Sequence, residues 1–198
     1  MDSLAPYLAG SYIAQSIAQL KIFEGSVAWM YRDTVGLITV GVGNMLPDVA
    51  AALKLPFRVQ SSGELAGETA VRQDFARVQQ LAAAKLPKFY YEYESLILAE
   101  TDIDALLVSR LQAFEAQLRQ EFPRYDTFPD PAKIALMDMA YSLGDAKLRT
   151  TYHHLDQAVF GQDWGAAAGF CGRNVHNPAF DARNDWTRDQ FLAAEKVS

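Results

Sequence analysis

Along residues 11–24 the apolar side chains Ile13, Ile17, Leu20 and Phe23 recur at helical spacing. Gly25 stands where a left-handed residue would end that helix, which puts Glu24 at its C-terminus. Over residues 27–42 the pattern changes to β-formers around Arg32-Asp33-Thr34-Val35-Gly36. This predicts a hairpin whose turn contains Asp33 and whose returning strand carries Thr39. Pro47 and Pro56 punctuate the exit, and Ser61-Ser62-Gly63 precedes an amphipathic stretch with Val71, Phe75, Val78 and Leu81 on one face. That stretch predicts a helix ending before Pro87. Thr101-Asp102 supplies an N-terminal signal for a helix carrying Ile103, Leu106, Leu107, Leu111, Phe114 and Leu118, with Pro123 and Pro129 at its exit. Further helices are expected over 134–143, 151–160, 164–170 and 184–194, with Gly144, Gly161 and Pro178 between them. The fold class that follows is α+β and mostly helical. A small N-terminal β-hairpin lobe precedes a C-terminal helical bundle, the helix after Thr101 joins them, and the cleft between such lobes is the expected substrate site.

Composition narrows the functional classes. The chain has 198 residues, half of them apolar, enough for a real core. Its single cysteine, Cys171, excludes an intramolecular disulfide and is expected to behave as a small buried apolar residue. No apolar run approaches the roughly 20 residues that span a bilayer. The opening stretch carries Asp2 and no basic residue before Lys21, so no secretory signal is expected. A net charge of −6 argues against nonspecific nucleic-acid binding, which needs clustered Lys and Arg. The same charge means that an anionic substrate must be met by a local groove, because longer-range attraction is screened within about 8 Å at physiological salt.

The chemistry is concentrated in Glu24-Gly25, Tyr31-Arg32-Asp33-Thr34, Gly36, Thr39, Gly41 and Gly43. Glycoside hydrolysis needs an acid to protonate the leaving oxygen and a second carboxylate that activates water or attacks. A carboxylate at a helix end and another in a hairpin turn can be brought to one site by the chain reversal between them. Spacing alone does not separate this from two solvated surface carboxylates, nor Thr39 from an ordinary strand residue. Gly41-Val42-Gly43-Asn44-Met45-Leu46 lacks the third glycine of a dinucleotide fingerprint. His153 and His154 point about 100° apart on a helix, His176 is isolated, and no metal or cofactor is expected. Phe89, Tyr90, Tyr91 and Tyr93 form an aromatic cluster expected to pack in the core or between the lobes.

Glu-Gly, eight residues between Glu24 and Asp33, five between Asp33 and Thr39, then Gly-x-Gly, resembles the signature of the phage-type lysozymes of glycoside hydrolase family 24. The resemblance implies that Glu24 is the general acid and that Asp33 and Thr39 position the attacking water. It extends more weakly to Ala135-Leu136-Met137 through Leu143-Gly144, to Trp164 with Ala167-Ala168, and to the closing segment from Arg183 to Phe191. Tyr31, Gly43, Asn44, Ser142 and Arg183 are the expected substrate-binding residues, Arg183 aligning with an arginine that approaches the catalytic glutamate in the family. Asn44 stands where many members carry His, and Ser142 where they usually carry Asn or Gln.

The resemblance further implies a single lysozyme-like domain over 1–198. Residues 1–60 would form the helix and hairpin lobe, 61–98 a helical and aromatic insertion, and 99–198 the helical lobe. The implied activity is an inverting, cofactor-free muramidase that cuts the bond between N-acetylmuramic acid and N-acetylglucosamine in bacterial peptidoglycan. A non-catalytic peptidoglycan-binding or assembly module on the same fold is the alternative. The chain is expected to be a monomer, made in the cytoplasm and acting on the wall after release through a membrane pore or injection. Delivery machinery or an inhibitor protein would be its partners.

Overall fold

The computed structural model describes residues 11–144, 148, 150–173 and 178–197. They fall into two compact units, residues 24–107 and residues up to 23 together with those from 108 onward. The first helix, α1 (Tyr12–Glu24), thus lies with the helical unit except for its last residue, which begins the other.

The unit of residues 24–107 is built on a five-stranded antiparallel sheet. Its strands are β1 (Val27–Arg32), β2 (Ile38–Gly41), β3 (Asn44–Leu46), β4 (Arg58–Val59) and β5 (Leu96–Ile97), in the spatial order β3-β2-β1-β5-β4. β1 and β2 form the expected hairpin, with Tyr31 opposite Thr39 and Arg32 opposite Ile38. Gly41 and Gly43 turn β2 into β3 with φ of 66° and 65°, a left-handed backbone that favours glycine. At Gly41 the backbone conformation is the constraint, since a Cβ there would meet Ile103 Cγ2 at 3.4 Å, an ordinary contact.

Asp48 caps the short helix α2 (Val49–Ala52) by accepting the Ala51 N–H at 2.8 Å. Helix α3 (Glu68–Gln80) buries Val71, Phe75 and Val78 on the face that the sequence period predicts. The segment expected as a helical insertion also contributes strand, since β5 pairs with β1 at Trp29 and Ile97 and carries β4 beside it. Of its aromatic cluster only Tyr90 enters the core, at 0% exposure, whereas Phe89, Tyr91 and Tyr93 are exposed. The Tyr90 hydroxyl finds its partner in the Ala82 carbonyl at 2.7 Å, which makes burial of the ring affordable. Aromatic content alone could not say which rings would be satisfied inside.

Helix α4 (Glu100–Glu121) starts in this unit and runs into the helical one. There it is followed by α5 (Asp130–Leu143), α6 (His153–Gly161), α7 (Trp164–Phe170) and α8 (Pro178–Glu195). Nearly every side chain of α5 from Ala132 to Tyr141 is buried, so it is the central helix of the unit, and α8 packs against it. Phe128, Trp164 and Phe191 form an aromatic cluster in this core, Phe128 meeting Trp164 edge-on with centroids 5.0 Å apart and Trp164 lying parallel to Phe191 at 6.3 Å. Cys171 is 1% exposed there, and burial pushes its thiol pKa up to about 11. No helix among the described residues is long and apolar enough to cross a membrane.

Candidate active site

Helix α1 stops at Glu24 because Gly25 adopts φ of 75°, the left-handed conformation that ends a helix and turns the chain into β1. Glu24 is exposed there. Six residues of strand then carry the chain to Asp33, whose main chain and side chain together make the hairpin turn. Its N–H donates to the Leu37 carbonyl at 2.9 Å, and its own carbonyl accepts from Gly36 N–H at 3.1 Å. One carboxylate oxygen, Oδ1, accepts the N–H groups of Val35 and Leu37 at 3.0 and 2.8 Å. The bond to the backbone two residues on, at Val35, is the kind that makes Asp favoured in turns, and the bond to Leu37, four residues on, closes the hairpin.

The second oxygen of Asp33 has a different environment. Oδ2 lies 3.5 Å from the Thr39 hydroxyl, which also lies 3.4 Å from the Leu37 carbonyl. Both are long for O–H···O bonds, whose usual range ends near 3.0 Å. Oδ2 therefore retains acceptor capacity, and a hydroxyl that is 2% exposed stands beside it. Strand register explains the placement. Thr39 sits opposite Tyr31, and Asp33 follows Tyr31 by two residues, so the period of a strand carries the three toward one face.

Tyr31 links this cluster to Glu24. Its phenol pKa is raised, first by burial and then by the negative charges of Asp33 and Glu24. Both carboxylates are thus close enough to act on one phenol, which stays protonated at neutral pH and can donate a hydrogen bond. The local arrangement has the components of acid–base chemistry on a glycosidic bond: an exposed carboxyl group, a second carboxylate with a hydroxyl beside it, and a neutral phenol near both.

Arg32, placed in the motif by the sequence but given no role there, and Ala84, which the sequence does not single out, hold the turn in place. Arg32 donates from Nε to the Gly36 carbonyl at 3.1 Å, and from Nη1 to the carbonyls of Leu81 and Gln79 at 2.6 and 3.2 Å. Ala84, at φ of 58°, donates its N–H to the Asp33 carbonyl at 3.2 Å. The chain after α3 is therefore bound to the turn that carries Asp33. A residue other than glycine in the left-handed region is a signal of constraint that only coordinates reveal.

The remaining expected residues are placed as follows. Gly43 forms the β2–β3 turn and Asn44 begins β3 opposite Val40. Ser142 and Arg183 belong to the helical unit, where they join a buried network around Asp138. Arg183 donates from Nε to Asp138 Oδ1 at 2.9 Å, and its guanidinium lies over the Phe23 ring, 5.0 Å from the centroid. Arg173 donates to Asp138 Oδ2 at 2.5 Å and to the Ser142 hydroxyl at 2.8 Å, while Thr187 donates to the same Oδ2 at 3.0 Å. Burial pulls the Arg173 pKa below its ordinary value, against the opposing pull of Asp138. An aspartate inside the apolar run 134–140 was the available signal for this network. His153 and His154 begin α6, and His176 lies outside the described residues. Among the described residues no group of three or more His, Cys, Asp or Glu side chains is arranged to hold a metal ion.

No family model matches the chain, and no curated protein is significantly similar to it in sequence. Among solved structures, the active form of the P1 phage endolysin Lyz is similar to it, with a TM-score of 0.55 and 16% identity. That likeness covers 90% of this chain and 83% of the endolysin. At such low identity the likeness establishes the fold, and the fold is lysozyme-like.

Proposed function

We propose that this protein is a peptidoglycan muramidase, hydrolysing the β-1,4 bond between N-acetylmuramic acid and N-acetylglucosamine with inversion. The observation that carries the reading is the placement of Asp33 Oδ2 beside the buried Thr39 hydroxyl, with Tyr31 under the charge of both Asp33 and Glu24. In the proposed reaction Glu24 protonates the leaving oxygen. A water held between Asp33 Oδ2 and Thr39 Oγ1 attacks the anomeric carbon from the opposite face and gives its proton to Asp33. Inverting enzymes leave room for such a water by holding their carboxyl groups roughly 6.5–9.5 Å apart, against about 5–5.5 Å in retaining ones. The likeness to a phage endolysin supports a cell-wall substrate.

The test is digestion of purified peptidoglycan by the wild type and by Glu24→Gln, with the new reducing ends identified by mass spectrometry. Muramic-acid reducing ends, lowered at least about 100-fold in rate by Glu24→Gln, are expected, that factor being the low end of what a positioned general acid supplies. Anhydro ends would overturn hydrolysis in favour of transglycosylation, and no soluble product would favour a binding module. Proton NMR of the first product decides the stereochemistry: α-anomer supports inversion, and β-anomer overturns it.

A further inference from the structure

On helix α3, Asp74 and Arg77 pair across one turn and together fasten the segment from Tyr90 to Leu96 to the helix. Asp74 Oδ1 accepts from Arg77 Nε and Nη2 at 3.0 and 2.7 Å, and its Oδ2 accepts the Leu96 N–H at 3.1 Å. Arg77 Nη2 also donates to the Tyr90 carbonyl and the Ser95 hydroxyl, each at 3.1 Å, and Ser95 Oγ accepts the Glu92 N–H at 2.8 Å. Between this fixed segment and α3 lies a cavity of about 460 Å³, within the roughly 300–1,000 Å³ of small-ligand sites. Its apolar part is Val59 and Leu96, which pair across β4 and β5 at the end of the sheet away from β3. It shares no residue with the Asp33 hairpin or with the groove beside that turn.

Two features of the lining have no role in the fold. Tyr93 is 79% exposed although the segment that carries it is held at both ends. Arg77 Nη1 is out of contact with solvent and has no hydrogen-bond partner among the described residues, with Glu92 Oε1 3.4 Å away. A buried donor without an acceptor costs stability and calls for an explanation.

We infer that this cavity is a second carbohydrate site, which takes a neutral sugar unit and holds the protein to a glycan apart from Glu24 and Asp33. The inference rests on the proposed activity for the choice of N-acetylglucosamine as that unit. The lining itself selects the chemical class. Asp74 and Arg77 offset one another, so the carboxylates of Glu92 and Glu94 leave the cavity negative and disfavour an anion. A bare ammonium group only donates, and it would set a like charge beside Arg77 Nη1 without giving that atom an acceptor. A sugar hydroxyl does both. It can accept from Arg77 Nη1 while donating to Glu92, whose side chain is 58% exposed and has room to swing aside. Gln73 and Ser61, exposed on the same lining, also offer donor and acceptor together, and the C–H face of a pyranose suits the Tyr93 ring and Leu96.

The experiment titrates the N-acetylglucosamine trimer into the isotope-labelled wild type and Tyr93→Ala, follows amide shifts by NMR, and uses spermidine as a cationic control. Saturable shifts at Gln73, Arg77, Tyr93 and Leu96 are expected with the trimer. Tyr93→Ala should weaken that binding about fivefold, the ratio that one aromatic contact supplies, and should leave the thermal melt unchanged because the ring is exposed. Shifts confined to residues 31–39 would put the sugar at the hairpin alone, overturning the second site and leaving the muramidase standing. The second site is equally overturned by shifts at 92–94 with spermidine but not with the trimer, by no shifts at all, or by a Tyr93→Ala protein that binds the trimer as tightly as the wild type. Trimer bound in the cavity of a protein that releases nothing from peptidoglycan supports the site and overturns the muramidase.

Discussion

Replacing Asp33 by Asn separates the two tasks of this side chain, because the amide is isosteric with the carboxylate and keeps one oxygen acceptor. With that oxygen at the Oδ1 position, the N–H groups of Val35 and Leu37 retain their partner, while the new NH2 takes the place of Oδ2 beside the Thr39 hydroxyl. Hydrogen bonds to a charged acceptor contribute about 1.5–3 kcal/mol each, against about 0.5–1.5 for neutral ones. Two such bonds on an exposed turn should therefore lose on the order of 1 kcal/mol together after solvent screening. For a chain of this size that is roughly 2–4 °C in Tm. Asp33→Ala removes the acceptor altogether and should cost about twice as much. In the proposed reaction Oδ2 holds the attacking water, so Asp33→Asn should lower turnover at least about 100-fold even though the turn survives. The assay pairs thermal melts with the rate of reducing-end release from peptidoglycan. An Asp33→Asn protein that keeps more than about a tenth of wild-type turnover would refute the chemical role. One that melts as low as Asp33→Ala would show that the activity loss is structural.

Three other outcomes test the scaffold. Gly36→Ala should destabilise by about 1–2 kcal/mol in a urea melt, because Gly36 has φ of 88° and an added Cβ would lie 3.2 Å from Arg32 Nη2. Asp138→Ala leaves Arg173 and Arg183 buried without their shared carboxylate and should cost about 3–5 kcal/mol by the same measurement. The Cys171 thiol, at about 11 when folded against 9.0 ordinarily, contributes stability that is present below pH 9 and lost as the pH rises to 11. The melting temperature should fall across that window by less in Cys171→Ala than in the wild type, and a thiol reagent near neutral pH should label the native protein only after unfolding.

The parts of the fold legible in the sequence are those specified locally. Glycine at the end of an amphipathic run marked the end of α1, and the dense β-formers around Asp33 marked β1 and β2, because cap chemistry and side-chain alternation act within a few residues. β4 and β5 were not legible, each being two residues long and existing through pairing with a neighbour across the sheet. Long range also hid the ties that fix the site. Arg32 reaches the Gln79 and Leu81 carbonyls 47 and 49 residues away in the chain, and nothing in its own neighbourhood announces that. Ser142 and Arg183 were found as candidates by motif, yet their hydrogen bonds to the Arg173–Asp138 pair follow from packing within the helical unit, where Asp138 in its apolar run signals a buried charge but not which cations meet it.

The way the two candidate carboxylates are held differs, and the difference matches the roles proposed for them. Asp33 is over-determined. Its N–H, its carbonyl and Oδ1 are all engaged by main-chain groups, two of the donors coming from Gly36 and Ala84, which sit in the left-handed region. A base that must fix one water to within a fraction of an ångström gains from such rigidity, since misplacement of about 1 Å can cost on the order of 100-fold in rate. Glu24 is exposed at the end of a helix, followed by a glycine around which an added Cβ would meet nothing within 4 Å. A general acid must reach the leaving oxygen and recover its proton from solvent after each turnover, and a solvent-facing helix end provides that access. Exchange of the two roles would leave the proton donor pinned in a turn by main-chain groups, so the proposed roles, Glu24 as acid and Asp33 as base, are the ones that the engagement of Asp33 and the exposure of Glu24 suit.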